Sequence, residues 1–211
     1  MVAPTVTWLP GTVVRVADHD AAGTPGHDEI VRFAAPLDTV LTAEFDGALS
    51  SLRTTADVLL LAALGRAVER TLGAGVVSVG IADGNFAGSA VALRCVSARE
   101  THATAALLEA DRTLALSSVH DAESVPVSEI VLSPAGTAAL GLDADRALQV
   151  SAYRQDGVLQ LDWCYDSRRF DAYTIVELAE QFPLALIELT SEAIGPLHGS
   201  ATPATGWAFA G

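Results

Sequence analysis

Residues 159–182, LQLDWCYDSRRFDAYTIVELAEQF, change hydrophobic period halfway along, and that change sets the fold. At first the apolar side chains alternate: Leu159, Leu161, Trp163 and Tyr165 point one way, and Gln160, Asp162, Cys164 and Asp166 the other. A half-buried strand has this period of two. From Ile175 onward the apolar positions are Ile175, Leu178, Ala179, Phe182, Leu186 and Leu189, the spacing of one helix face. Thr174 and Glu177 have capping-box spacing for that helix, and residues 166–171 supply a polar turn before it.

Working outward, Gln155-Asp156-Gly157 predicts a tight hairpin turn joining a preceding strand, residues 147–153, to this one. Further upstream, residues 29–33 read as a strand, and Leu37, Val40, Leu41, Phe45 and Leu49 as one helix face. Thr54 and Asp57 have capping-box spacing for a second, almost wholly apolar helix that Gly73 and Gly75 end. Residues 76–81 and 90–96 read as strands joined by a turn around Asp83-Gly84-Asn85. Residues 101–116 form an amphipathic helix, 125–132 a short apolar element and 133–144 a Pro/Gly loop. Val13-Val14-Arg15-Val16 predicts an edge strand. The organisation is therefore an N-terminal edge strand and loop (1–28), a packed unit (29–194) and a tail or linker (195–211) that contains Trp207 and Phe209.

Composition excludes several functions. The net charge of -14 argues against nucleic acid and anionic membranes, since phosphates require a basic surface. No apolar run reaches membrane-spanning length and no secretion signal is evident, so a soluble, cytoplasmic protein is expected. In that compartment Cys95 and Cys164 are expected as reduced, buried thiols. Every one of the 12 basic residues is Arg, which rules out Schiff bases and P-loop lysines.

The chain contains no nucleophile elbow, dinucleotide fingerprint, Walker A, H-E-x-x-H or paired C-x-x-C motif. Asp18, His19, Asp20, His27 and Asp28 are metal-ligand types, but their spacing does not converge ligands and reads as a solvated loop. His102 stands alone at a helix start, and His120-Asp121 are sequence neighbours that do not face each other. No catalytic, metal-ligating or cofactor-binding residue is assigned. Four residues remain as binding candidates: Asp83 and Asn85 at a turn, and Arg168 and Arg169, which have the chemistry of a phosphate clamp. For the turn pair the plainer role is bonding to their own backbone; for the arginines it is surface pairing with Asp166, Asp171 or Glu177.

In order, the segments TADVLLLAALGRAVERTLGAGVVSVGIADG (55–84), FAGSAVALR (86–94), SVPVSEIV (124–131) and VLQLDWCYDSRRFDAYTIVELAEQF (158–182) resemble the C-terminal lobe of nonribosomal peptide synthetase condensation and epimerization domains. The resemblance spans residues 29–194 and rests mainly on hydrophobic patterning. It implies a fold related to chloramphenicol acetyltransferase: an α/β two-layer sandwich, with a mixed, mostly antiparallel sheet and helices packed on one face. The active-site motif of that family, HHxxxDG, belongs to its other lobe and does not occur here; His19, His27, His102, His120 and His198 are all isolated. The channel-facing segment GIADGNFAG lacks the histidine and arginine of epimerization domains and is shortened.

Three functions follow as alternatives. The first is a non-catalytic docking or structural platform for a synthetase, carrier protein or tailoring enzyme. The second is half of a condensation or epimerization enzyme, completed by an N-terminal lobe that brings the histidine. A small-molecule binding protein using the old channel wall is the third. An exposed face that once met the other lobe predicts a partner or a homo-oligomer. Attraction to an acidic carrier protein would have to be local, given the charge.

Overall fold

The computed structural model describes residues 13–117, 128–134, 142 and 146–197. In chain order the elements are β1 (Ile30–Ala34), α1 (Thr39–Leu52), α2 (Ala56–Leu72), β2 (Gly75–Ile81), β3 (Ala90–Cys95), α3 (Ala103–Ser117), β4 (Ile130–Ser133), β5 (Leu148–Gln155), β6 (Val158–Asp166) and α4 (Ala172–Glu192). One six-stranded sheet has the order β1-β6-β5-β4-β2-β3. Its β2–β4 and β4–β5 pairs are parallel, while β1–β6, β5–β6 and β2–β3 are antiparallel. The two-layer α/β sandwich expected from the sequence is what forms.

The opening stretch positions both layers. Asp156 and Gly157 take positive φ of 52° and 78°, as a two-residue primed hairpin turn requires, so β5 and β6 pair in register. Leu159, Leu161, Trp163 and Tyr165 join Leu148, Val150 and Ala152 in one core with the buried faces of all four helices. Within it Trp163 meets Phe182 of α4 edge to face, the ring centroids 5.8 Å apart. The central helix α2 is apolar from Val58 to Gly65, where β3, α3 and α4 pack on it; Leu59, Leu60, Leu61 and Leu64 are fully buried. Each such leucine contributes about 1.5–3 kcal/mol relative to exposure. No single helix among the described residues is long and apolar enough to cross a membrane.

Several local expectations shift. Thr55, not Thr54, caps α2, its hydroxyl accepting the Val58 N–H at 3.4 Å. The α4 helix starts earlier than the Thr174–Glu177 pair predicts: Asp171 is the N-cap and Thr174 lies inside the first turn, its body against the core. Val13–Val16 does not form a strand. It makes one parallel bridge, Val13 to Val76, and then Val16 and Ala17 turn into the core. The expected alternation of β6 also fails on its polar side, because Asp162, Cys164 and Asp166 are buried too. Leu142 and Ile30 cover Cys164, while arginines reach over the two aspartates. Both cysteines are free buried thiols, pushed up in pKa by burial, Cys95 to about 12. Residues 118–127, Trp207, Phe209, His120, Asp121 and His198 lie outside the described residues.

Candidate functional site

The four sequence candidates divide between opposite ends of the sheet. Asp83 and Asn85 follow β2 at the carboxyl ends of the parallel strands β2 and β4, the position where open α/β sheets place ligands. The loop there is tightly built. Ile81 and Ala82 donate to the Ser89 and Leu132 carbonyls at 2.8 and 2.9 Å, and the Gly88 N–H returns to the Ile81 carbonyl at 2.8 Å. Gly84 opens a single 3₁₀ turn, Gly84–Phe86, with a φ of 78° that favours glycine. The Asp83 carboxylate accepts the Ser133 hydroxyl from the end of β4. Asn85 is exposed.

Sequence reasoning missed the third member. Asp57, in the first turn of α2, is only 5% exposed, and its Oδ2 has no hydrogen-bond partner. A Cβ on Gly84 would lie 3.2 Å from both Asp57 carboxylate oxygens, so the loop backbone presses directly on this group. Burial raises the Asp57 pKa; the Asn85 backbone N–H opposes the rise, and the Asp83 charge adds to it. A lone carboxylate at the head of an apolar rod was the available signal, and its capping-box spacing concealed it.

Arg168 and Arg169 lie at the other end, after β6. Arg168 forks onto Asp166, with Nε and Nη2 donating to Oδ1 and Oδ2 at 3.0 and 2.8 Å; its backbone N–H adds a third bond at 3.0 Å. It also reaches Glu29 at 3.3 Å and the Gly23 carbonyl at 3.1 Å. Asp166 is 1% exposed, so this is no surface pair, and the Arg168 hydrogen bonds hold its carboxyl below the usual range. Arg169 pairs with Glu129, just before β4, rather than with Asp166, Asp171 or Glu177. Both guanidiniums are engaged in ion pairs that tie the strand ends together. The neighbouring loop docks here as well: Asp18 accepts the Asp171 N–H at 2.9 Å, and His19 Nε2 meets Asp171 Oδ1 at 3.2 Å.

Between these ends runs the sheet face that carries no helix among the described residues. Gln149, Ser151 and Tyr153 of β5 stand beside Cys164, Asp162 and Gln160 of β6. Asp162 binds Arg32 from β1, and burial raises the Tyr153 pKa beside that pair. No group of three or more metal-ligating side chains gathers among the described residues. A cavity lined by Gly65, Arg66, Leu93, Arg94, Glu109 and Ala110 has about 20 Å³ of interior space, room for one water.

No family model matches the chain. One of the polypeptides of the phenolphthiocerol/phthiocerol polyketide synthase of Mycobacterium tuberculosis (strain ATCC 25618 / H37Rv) is 28% identical over 232 aligned residues, covering 84% of this chain and 15% of that one. The polypeptide of the same name from Mycobacterium bovis matches to the same extent. Among solved structures, the epimerization domain from the third module of tyrocidine synthetase B superposes with a TM-score of 0.61 at 16% identity, over 89% of this chain and 52% of that one. A chain of the complex of the X-domain and OxyB from teicoplanin biosynthesis gives a TM-score of 0.62 at 16% identity, over 87% and 50%. A structure of condensation domain-mediated chain release from the enacyloxin polyketide synthase gives 0.57 at 14% identity, over 87% and 44%. The chain has the fold of one lobe of a condensation or epimerization domain. It spans about half the length of the first of these structures and a small part of the polyketide synthase polypeptides.

Proposed function

We propose that this chain is a condensation-like C-terminal lobe in nonribosomal peptide or polyketide assembly, and that it serves as a docking platform for a synthetase segment, carrier protein or tailoring enzyme. The observation that carries this reading is a lobe fold covering most of the chain together with a sequence that lacks HHxxxDG. The described histidines lie away from the sheet: His19 sits on the surface against Asp171, His27 is exposed in the turn before β1, and His102 Nδ1 accepts the Thr104 N–H at the exposed start of α3. Residues 29–194 form the unit proposed to dock, with the loop bearing Asp83 and the exposed Asn85 as its contact region. A small, solvated protein working among cytoplasmic synthetase modules fits this role.

A second reading is supported by the polyketide synthase similarity, in which the matching segment belongs to a much longer polypeptide. There the lobe completes an active domain with a partner that supplies the histidine. One experiment separates the two. The purified chain is mixed with separately expressed N-terminal condensation lobes and with acyl-loaded carrier proteins. Complex formation is followed by size-exclusion chromatography, and acyl transfer by mass spectrometry. Binding without transfer supports the platform; transfer only in the presence of an N-terminal lobe supports the half-enzyme. Transfer catalysed by the chain alone refutes the first reading, and absence of binding to either class of partner refutes both.

A further inference from the structure

The loop at the carboxyl end of β2 is held by a group with an unusual environment. Asp57 is 5% exposed, and its Oδ2 lacks any hydrogen-bond partner. The other bearings on the carboxyl are the backbone N–H groups of Asn85 and of Asp57 itself and the charge of Asp83, whose own carboxylate accepts the Ser133 hydroxyl. No arginine acts on Asp57 among the described residues; Asp83 is the charged group that does. An ionised Asp57 would thus stand buried, unpaired and beside a second carboxylate. The start of α2 favours an anion, but a helix dipole is a smaller effect than leaving a carboxylate oxygen buried without a partner.

We infer that Asp57 is held as a neutral carboxylic acid whose proton pins the loop of residues 82–89 against the head of α2, making that loop a proton-gated element of the sheet end. The neutral group accepts from the Asn85 N–H, leaves no unpaired charge at the orphan oxygen, and carries an O–H as a donor on the side where the Asp83 charge acts. Gly84 permits the contact, since a Cβ there would sit 3.2 Å from both carboxylate oxygens. On deprotonation the proton passes to water, and two carboxylates face each other across the loop. Repulsion and the need for hydration then favour an open loop. Two carboxylates that share a site in this way cannot both ionise without cost.

Amide hydrogen exchange of the whole chain from pH 2.5 to 8, corrected for intrinsic acid and base catalysis, tests this. Protection of the amides of residues 84–88 is expected to hold a plateau below the ordinary Asp value of 3.8, to fall by up to about tenfold per pH unit as pH rises from there through the closed-loop value of Asp57, and to level off above it, because one proton is linked to closing. The β5–β6 hairpin serves as the internal reference and stays constant. Asp57→Asn keeps an acceptor for Asn85 and a donor for Asp83 but does not titrate, so its protection is expected to be flat and equal to the wild-type plateau. Asp83→Asn removes the like charge and moves the wild-type midpoint down. A flat wild-type profile overturns the inference, as does an Asp57→Asn loop as exposed as the wild type at high pH. Where Asp57→Asn loses hairpin protection and is unfolded, the wild-type profile and the Asp83→Asn midpoint decide.

Discussion

Replacing Phe182 with alanine tests whether the opening stretch locks sheet to helix as the structure indicates. Phe182 is fully buried on α4 and meets Trp163 of β6 edge to face, with centroids 5.8 Å apart and planes at 83°. Truncating a buried phenylalanine costs about 3–5 kcal/mol, the spread reflecting how far the site collapses. The edge-to-face pair contributes about 0.5–1.5 kcal/mol of that beyond area alone. Collapse is limited here, because α2 packs against α4 and sits over the sheet, so both walls of the cavity are fixed. A loss of about 4 kcal/mol is therefore expected. For a domain of this size each kcal/mol lowers Tm by roughly 2–4 °C, giving a fall of roughly 8–16 °C.

The assay is urea denaturation followed by far-UV circular dichroism, comparing midpoints at constant m. Phe182→Leu keeps apolar volume but loses the ring contact, and is expected to cost about 1–2 kcal/mol. A double-mutant cycle with Trp163→Leu should return a coupling of about 0.5–1.5 kcal/mol. The reasoning fails if Phe182→Ala costs less than about 1 kcal/mol, since no fully buried aromatic at a fixed interface loses so little. It fails equally if leucine and alanine are equivalent, which would mean that filled volume at this position is irrelevant.

Two further outcomes are expected. Gly84→Ala and Gly157→Ala share a φ of 78°, but a Cβ at Gly157 meets nothing within 4 Å, whereas at Gly84 it meets Asp57 at 3.2 Å and Pro134 at 3.4 Å. Gly157→Ala should cost about 1–2 kcal/mol for the left-handed backbone alone, and Gly84→Ala measurably more in the same denaturation series. The two aspartates with opposite shifts should tilt stability in opposite directions. Asp166, held low by Arg168, contributes stability that is complete above the ordinary Asp value of 3.8 and is lost as pH falls from there through its folded value. Asp57, held high by burial, works the other way: stability declines as pH rises from 3.8 through its folded value and then levels off. Urea midpoints from pH 2 to 7 should show Asp166→Asn flattening the acid limb and Asp57→Asn raising stability near neutrality.

The elements that could be read from the chain are those whose cause is local. The strand over Leu159 to Tyr165, the Asp156-Gly157 turn and the helical spacing after Ile175 each depend on neighbours within a few residues, and each element appears where expected, although the polar side of the strand is buried as well. Cap positions moved by one to three residues because Thr54 and Thr55 are both competent caps, and only the path of the chain out of α1 selects between them. The N-terminal Val13–Val16 run had strand composition but found only Val76 to pair with, because β4 takes the rest of that edge of β2. Strand composition alone does not create a partner.

The site was harder to read because its members are placed by topology rather than by sequence spacing. Asp57, Asp83 and Ser133 come from a helix start, a loop and a strand end, and nothing in their separations signals that they meet. Asp83 and Asn85 were visible as turn residues, yet what distinguishes their loop is the buried acid beneath it. Arg168 and Arg169 attracted notice as an exposed-looking pair of cations. The fold instead uses them to cover Asp166 and to tie Glu129 at the amino end of β4. The charged cluster that looked functional is thus the one the structure has already neutralised. Among the described residues, Asp57 at the head of α2 is the buried carboxylate left without a counterion, and polar groups left unpaired inside a core are where a fold departs from what packing alone would select.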